Sequence, residues 1–177
     1  MTSITLSVAE QLNAIEQIKR TFSARLRCMD TKQWHVYPTL HTTDVISETW
    51  GGIPVDRQPK TDGVANRVVG NERLGKTIEA FLDGEKKITS VHHAHTPEIE
   101  LTSDTTATGI WAMEDKLWWS KADGTEEHLH GYGHYHEEYR NVDGKWLISF
   151  RSLSRLRVDE TPHFHDAVTA LVRVLSD

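Results

Sequence analysis

Cysteine is almost absent from this chain: Cys28 is the single one in 177 residues. That excludes an internal disulfide framework and any Cys-x-x-Cys metal or redox motif. Long apolar runs are missing too. No stretch approaches the roughly 18 residues that a membrane-spanning helix needs, so the chain is expected to be soluble, with no membrane partner. Met1-Thr2-Ser3-Ile4-Thr5 shows no basic region followed by an apolar core, so no secretory signal is expected and the cytoplasm is the default location. Positive charge is in the minority. The net charge of -6 argues against a nucleic-acid partner, leaving only a local basic patch over Arg151 to Arg157. There is no internal repeat, no low-complexity segment, no glycine-rich phosphate cradle between a strand and a helix, and no serine nucleophile elbow. Length and composition suit one domain over residues 1–177, with 37% hydrophobic and 26% charged residues.

What is present begins with a helix. Ser7-Val8-Ala9-Glu10 fits a capping box, and Val8, Leu12, Ile15, Ile18, Phe22, Leu26 and Met29 follow at helical spacing, which predicts one core-facing stripe ending near Met29. Cys28 falls on the apolar side and is expected to pack there. Asp30 sits at the turn into a shorter segment, Lys32 to Leu40, and by itself reads equally well as an N-cap. A strand is expected over Val45 to Trp50, a long loop over Ile53 to Val69, and a helix over Glu72 to Leu82 capped by Asn71 and closed by Gly84. The remainder reads as β. Thr105–Trp119, His128–Val142 and Lys145–Val158 form a meander, with a closing helix over Asp166–Leu175. Helices first and long antiparallel strands afterwards predict an α+β fold, its curved sheet wrapped around the first helix.

The chemistry concentrates in Ser90 to Leu101, Ser-Val-His-His-Ala-His-Thr-Pro-Glu-Ile-Glu-Leu, a strand kinked near Pro97. His92 is the first candidate base, because imidazole titrates close to neutrality. The pairs His93/His95, His128/His130, His134/His136 and His163/His165 raise a metal site as a rival. No further ligand singles out one pair, so no metal is expected, and an outward row of histidines is the plainer account. Over Leu129 to Tyr139, Gly131, Gly133 and Tyr135 share one face and His130, Tyr132, His134 and His136 the other. A concave glycine face would let a flat ligand lie there with Trp111 or Met113 as wall; a bend in a curved sheet explains the glycines as well. Arg151, Leu153, Arg155 and Arg157 share one parity, and Arg151 is the arginine expected to meet an anionic ligand group. Solvated or ion-paired positions suit the other two.

Three segments together, Arg27-Cys28-Met29-Asp30-Thr31-Lys32-Gln33-Trp34, Val91 to Ile99 and Leu129 to Tyr135, resemble the nuclear transport factor 2-like superfamily. More narrowly they resemble its SnoaL-like proteins, which include scytalone dehydratase, bile acid 7α-dehydratase and hexachlorocyclohexane dehydrochlorinase. The resemblance implies a cone-shaped sheet around a deep pocket, assembled as a homodimer or homotrimer. It also implies a pairing of Asp30 with His92 as a catalytic dyad, with Arg151 and Arg25 in the pocket and no cofactor. Trp34, Tyr37, Trp111, Met113, Gly133 and Tyr135 complete the expected lining. The function implied is a lyase, most simply a dehydratase, that eliminates water or a fragment such as formaldehyde from an aromatic or polycyclic small molecule. The same superfamily also holds proton-shuttling isomerases of the ketosteroid isomerase type and non-catalytic accessory subunits. The accessory reading predicts Asp30 and His92 too far apart to hydrogen-bond, or a pocket plugged by Trp34 and Trp111.

Overall fold

The computed structural model describes residues 4–54 and 67–165. Helix α1 runs Val8–Asp30 from the capping box, in which the Ser7 side chain accepts from the Glu10 amide and Glu10 accepts from the Ser7 amide. A 3-10 turn follows at Tyr37–Leu40, and helix α2 spans Asn71–Asp83. The strands are β1 (His41–Pro54), β2 (Arg67–Val69), β3 (Thr89–Ala94), β4 (Glu98–Leu101), β5 (Thr106–Ser120), β6 (Glu126–Val142) and β7 (Lys145–Glu160). They form one curved, unclosed sheet in the order β2-β1-β7-β6-β5-β3, with β4 beside β5. The fold is α+β, as expected. The sheet is mixed rather than wholly antiparallel, since β1 runs parallel to β7.

Alternation decides which side chains reach the interior. On β5 and β6 the odd-numbered residues are buried and the even-numbered ones are largely at the outer face. Into the concave face lies α1, whose Phe22 ring stacks on Trp111 with centroids 3.8 Å apart. The expected stripe on α1 is corrected at its start: Val8 and Leu12 are exposed, and burial begins at Ala14, then Ile18 and Phe22. The first turns of the helix therefore contribute no core packing.

Two irregularities on β7 matter for the site. Ser149 is extra relative to β6, so burial passes from Trp146 and Ile148 to Arg151, Leu153 and Arg155. Leu156 is extra in the second, which turns Arg157 out to pair with Asp159. The common parity read for the three arginines is thus broken after Arg155. Gly133 stands opposite the second bulge, where a Cβ would overlap the Ser154 carbonyl. Its missing side chain makes room for β7 and not for a ligand.

The expected loop over Ile53–Val69 is corrected at both ends. β1 continues to Pro54, and Arg67–Val69 pairs antiparallel with it through Ile46 and Val69. The N-cap of α2 is Gly70, at φ 96°, while Asn71 lies inside the first turn and accepts from the Glu72 amide. The break at Pro97 separates β3 from β4, both paired with β5. The middle of the long loop, 55–66, and the closing helix expected over 166–175 lie outside the described residues.

Candidate active site

Asp30 ends α1 and His92 lies mid-strand on β3, and the fold brings them into contact. His92 Nδ1 is 2.6 Å from Asp30 Oδ1, and the His92 backbone amide donates to Oδ2 at 2.9 Å. Ser90, two residues earlier on the same face of β3, donates to Oδ1 at 2.9 Å. Burial pushes the Asp30 carboxyl up. The hydrogen bonds and charge of His92, with the Ser90 hydroxyl, outweigh it and hold the group below the ordinary carboxylate range. An ionised Asp30 fixes the proton on Nδ1 and leaves Nε2 as a free base. Behind Ser90 stands Lys32, whose ammonium donates to the Ser90 hydroxyl at 3.4 Å from a left-handed backbone at φ 58°. That position, just past the helix end, usually falls to glycine, and a side chain there costs on the order of 1–2 kcal/mol.

His92 borders a partly open cavity of about 130 Å³ between the concave sheet and α2. Ile78, Phe81 and Leu82 of α2 close one side, Leu117, Leu129 and Leu153 the other. Polar groups are few: His92, Tyr135, Arg151, the pair Asp115–Arg155 and, from the end of the described chain, His165. Arg151 is buried, and its Nη1 donates to the Tyr37 hydroxyl over a long 3.5 Å while its Nε has no partner among the described residues. Burial and the Asp115 carboxylate push the Tyr135 phenol up to about 12, so it stays a neutral O–H donor near neutral pH. An open groove on the other side of the dyad, between α1 and β3, is lined by Arg27, Asp30 and His93 among others. It is the more open of the two and lacks the buried arginines.

Beyond Tyr135 the interior holds a second polar layer. The Arg25 guanidinium, fully buried on α1, lies 3.0 Å from Glu137 Oε1 and is sandwiched by the Phe22 and Tyr135 rings at 4.8 and 4.7 Å. Its Nη2 is off the hydrogen-bond line, so the contact is Coulombic. The other Glu137 oxygen accepts from Tyr139 at 2.7 Å, and Tyr139 accepts from the Trp111 indole at 3.0 Å.

His41, on β1, bonds the Tyr37 carbonyl through Nδ1 at 2.9 Å and has no described partner at Nε2. Burial above all, then the charges of Arg25 and Arg151, lowers its pKa to about 3. The unfolded chain binds a proton there near 6.5, so between those values the unfolded state carries the extra proton. The stability contributed by neutral His41 is therefore complete above the unfolded pKa and is lost as pH falls. The slope is about 1.4 kcal/mol per pH unit. Urea titrations at a series of pH values are expected to show a slope smaller by this amount, one proton, in His41→Asn than in the wild type. His130 and His136, also held low by burial, add to the slope in both proteins. The asparagine amide can keep the bond to Tyr37.

Of the residues singled out in the sequence, His92, Arg151 and Tyr135 line the cavity, and Asp30 is held behind His92. The others stand elsewhere. Arg25, Tyr37, Trp111 and Met113 are packed in the core around it, Gly133 lies under β7, and Trp34 donates to Asp83 at 3.0 Å at the edge of α2. The sequence reading missed Asp115 and the lining face of α2. Asp115 has the same strand parity as Trp111 and Met113, and an ionisable residue in that series was the available signal. Among the described residues no three histidine, cysteine or acidic side chains converge. The paired histidines of β6 lie along its outer face, where His136 meets Ser154 at 2.9 Å.

A curved α+β cone around an apolar cavity, with a carboxylate-held imidazole at the cavity wall, is the class of protein that the fold and the site define. The sequence profile of the SnoaL-like domain matches residues 10–152, and the chain belongs to that family. Among solved structures it is similar to a Novosphingobium aromaticivorans protein assigned as a scytalone dehydratase. That match has a TM-score of 0.71 and 17% identity over 88% of this chain and 92% of that one. A hexachlorocyclohexane dehydrochlorinase of type 3 from Novosphingobium barchaimii gives 0.69 and 16% over 90% and 97%. The β subunit assigned to an aromatic-ring-hydroxylating dioxygenase of Novosphingobium aromaticivorans gives 0.61 and 15% over 84% and 92%. Identities this low carry the fold and no more.

Proposed function

We propose that this protein is a cofactor-independent lyase that eliminates water, or a small fragment such as formaldehyde, from a hydroxylated aromatic compound. The observation that carries the reading is the 2.6 Å contact of Asp30 with a His92 that borders a mostly apolar cavity. In the dehydration, His92 Nε2 takes a proton from carbon beside the leaving group, the C–H electrons form the new double bond, and Asp30 stabilises the imidazolium. The same proton then passes to the departing hydroxyl, water leaves, and the dyad is restored. Arg151 and the neutral Tyr135 phenol are donors for an oxygen that gains negative charge on the way.

The cavity's size bears on the substrate. An apolar cavity of roughly 150 Å³ holds one benzene ring, so about 130 Å³ accommodates the ring at which the chemistry occurs, and any second ring would extend outside it. The accessory-subunit reading required a broken dyad or a cavity plugged by indoles. The Asp30–His92 bond and the placement of Trp111 against Phe22 and Tyr139 favour an enzyme. Mass spectrometry of a panel of hydroxylated aryl and steroid-like compounds tests the proposal. A product lighter by water or formaldehyde, formed with chelator present and absent with His92→Ala, is expected. A product of unchanged mass would make the protein an isomerase, and full turnover by the variant would remove the dyad.

A further inference from the structure

The cavity wall carries a polar pair that the dyad chemistry leaves unused. His92 on β3 is the register partner of Asp115 on β5, and Asp115 that of Gly131 on β6. Arg155 reaches over Gly131 from β7, donating from Nη1 to Asp115 Oδ1 at 2.6 Å and from Nη2 to Oδ2. A Cβ at position 131 would overlap both partners, so the glycine is what lets the pair close. Side-chain exposure is 5% for Arg155 and 4% for Asp115. Such a pair is a poor device for stability, because apolar side chains of similar volume do as well or better once the desolvation of both charges is counted. Leu117, Leu129, Leu153 and Phe164 make much of the cavity apolar around it, and the Tyr135 phenol is near enough to feel both of its charges.

The bonding capacity left over is specific. Arg155 Nε is a buried donor with no described partner, while Nη1 also approaches the Met113 sulfur at 3.6 Å. Each Asp115 oxygen accepts from Arg155 and keeps a further acceptor site. Donor and acceptor side by side, with their charges cancelling, suit a neutral group that both gives and takes a hydrogen bond. An anion would be repelled by Asp115 as much as it is drawn by Arg155. We propose that Asp115 and Arg155 form a subsite for a hydroxyl group on a single aromatic ring, and that by holding it they set which edge of the ring meets His92. The inference rests on this cavity being the place where the dyad works.

Binding separates the two readings without needing turnover. Phenol and the similarly sized fluorobenzene are titrated by protein-observed NMR into the wild type, His92→Ala and the double variant Asp115→Leu/Arg155→Met. Phenol is expected to bind the wild type roughly five- to tenfold more tightly, the effect of about one net hydrogen bond. The double variant should lose that preference and still bind fluorobenzene. In the phenol complex, nuclear Overhauser contacts from the ring to the Arg155 Nε proton are expected, a reading that needs no variant to fold. A phenol preference that persists in the double variant, or contacts to His92 in place of Arg155, overturns the subsite. Loss of the preference only in His92→Ala overturns it too, while leaving the dyad in place. If the wild type binds neither probe, the subsite and the cavity-based function fall together.

Discussion

In His92→Ala, elimination is expected to fall roughly 10²- to 10⁴-fold, the usual worth of a positioned general base. Asp30→Asn should come close to the same loss without removing the imidazole. The reason lies in the hydrogen bonds Asp30 accepts. His92 Nδ1 and the Ser90 hydroxyl meet Oδ1, and the His92 amide meets Oδ2. An asparagine can keep the amide bond through its oxygen, but its NH₂ then faces Nδ1 and can only donate to it. The imidazole proton is driven to Nε2, the nitrogen turned away from Asp30, and the base is gone although every atom is nearly in place. A serine protease shows the same logic, where the equivalent exchange costs about 10⁴ in kcat through the wrong tautomer. Single-turnover rates with the two variants check the expectation. Equal loss in both, with KM little changed, is the signature of a base and its orienting carboxylate. An Asp30→Asn protein as active as wild type would reduce Asp30 to the helix-end residue that its position alone suggests.

The way these residues were and were not legible in the sequence follows from the distances over which each is specified. Which residues of β6 share a face could be read because glycine, tyrosine and histidine alternate there and the structure keeps the alternation unbroken from Glu127 to Tyr139; which face turns inward could not. On β7 the same reasoning held only between Arg151 and Arg155. Bulges at Ser149 and Leu156 reset the parity on either side, and nothing in the local sequence announces an extra residue. Asp30 and His92 are 62 positions apart, so their meeting came from the likeness to a family and not from spacing. Asp115 and Arg155 stand on strands that do not touch, with a glycine between them, so their pairing exists only once β5, β6 and β7 are in register. Arg25 was placed in the pocket by resemblance. Its position on the buried face of α1, with Glu137 within reach, instead makes it a wall of the layer beneath.

Arg151→Met is expected to lower turnover roughly 10²- to 10³-fold, the cost of losing one donor aimed at developing negative charge, while the protein becomes as stable as wild type or more so. The two halves of this expectation have one cause. Arg151 is 4% exposed, and the described carboxylates near it are already engaged. Its register partner Glu137 serves Arg25 and Tyr139, and Asp115 is held by Arg155. What remains to it is a long contact with the Tyr37 hydroxyl and an Nε without a partner. A buried charge with no matching anion works against the folded state, so replacing it with an apolar side chain of similar length relieves that cost. An arginine kept for packing would behave in the opposite way, losing stability first and activity only as a consequence. Arg151→Lys sharpens the test, because it keeps the charge but not the planar pair of donors. It should recover little activity if the arginine clasps an oxygen, and much of it if charge alone suffices. Urea unfolding alongside kcat for both variants reads the outcome. A clear drop in stability with Arg151→Met would assign the residue to the scaffold and leave Tyr135 as the described donor opposite His92.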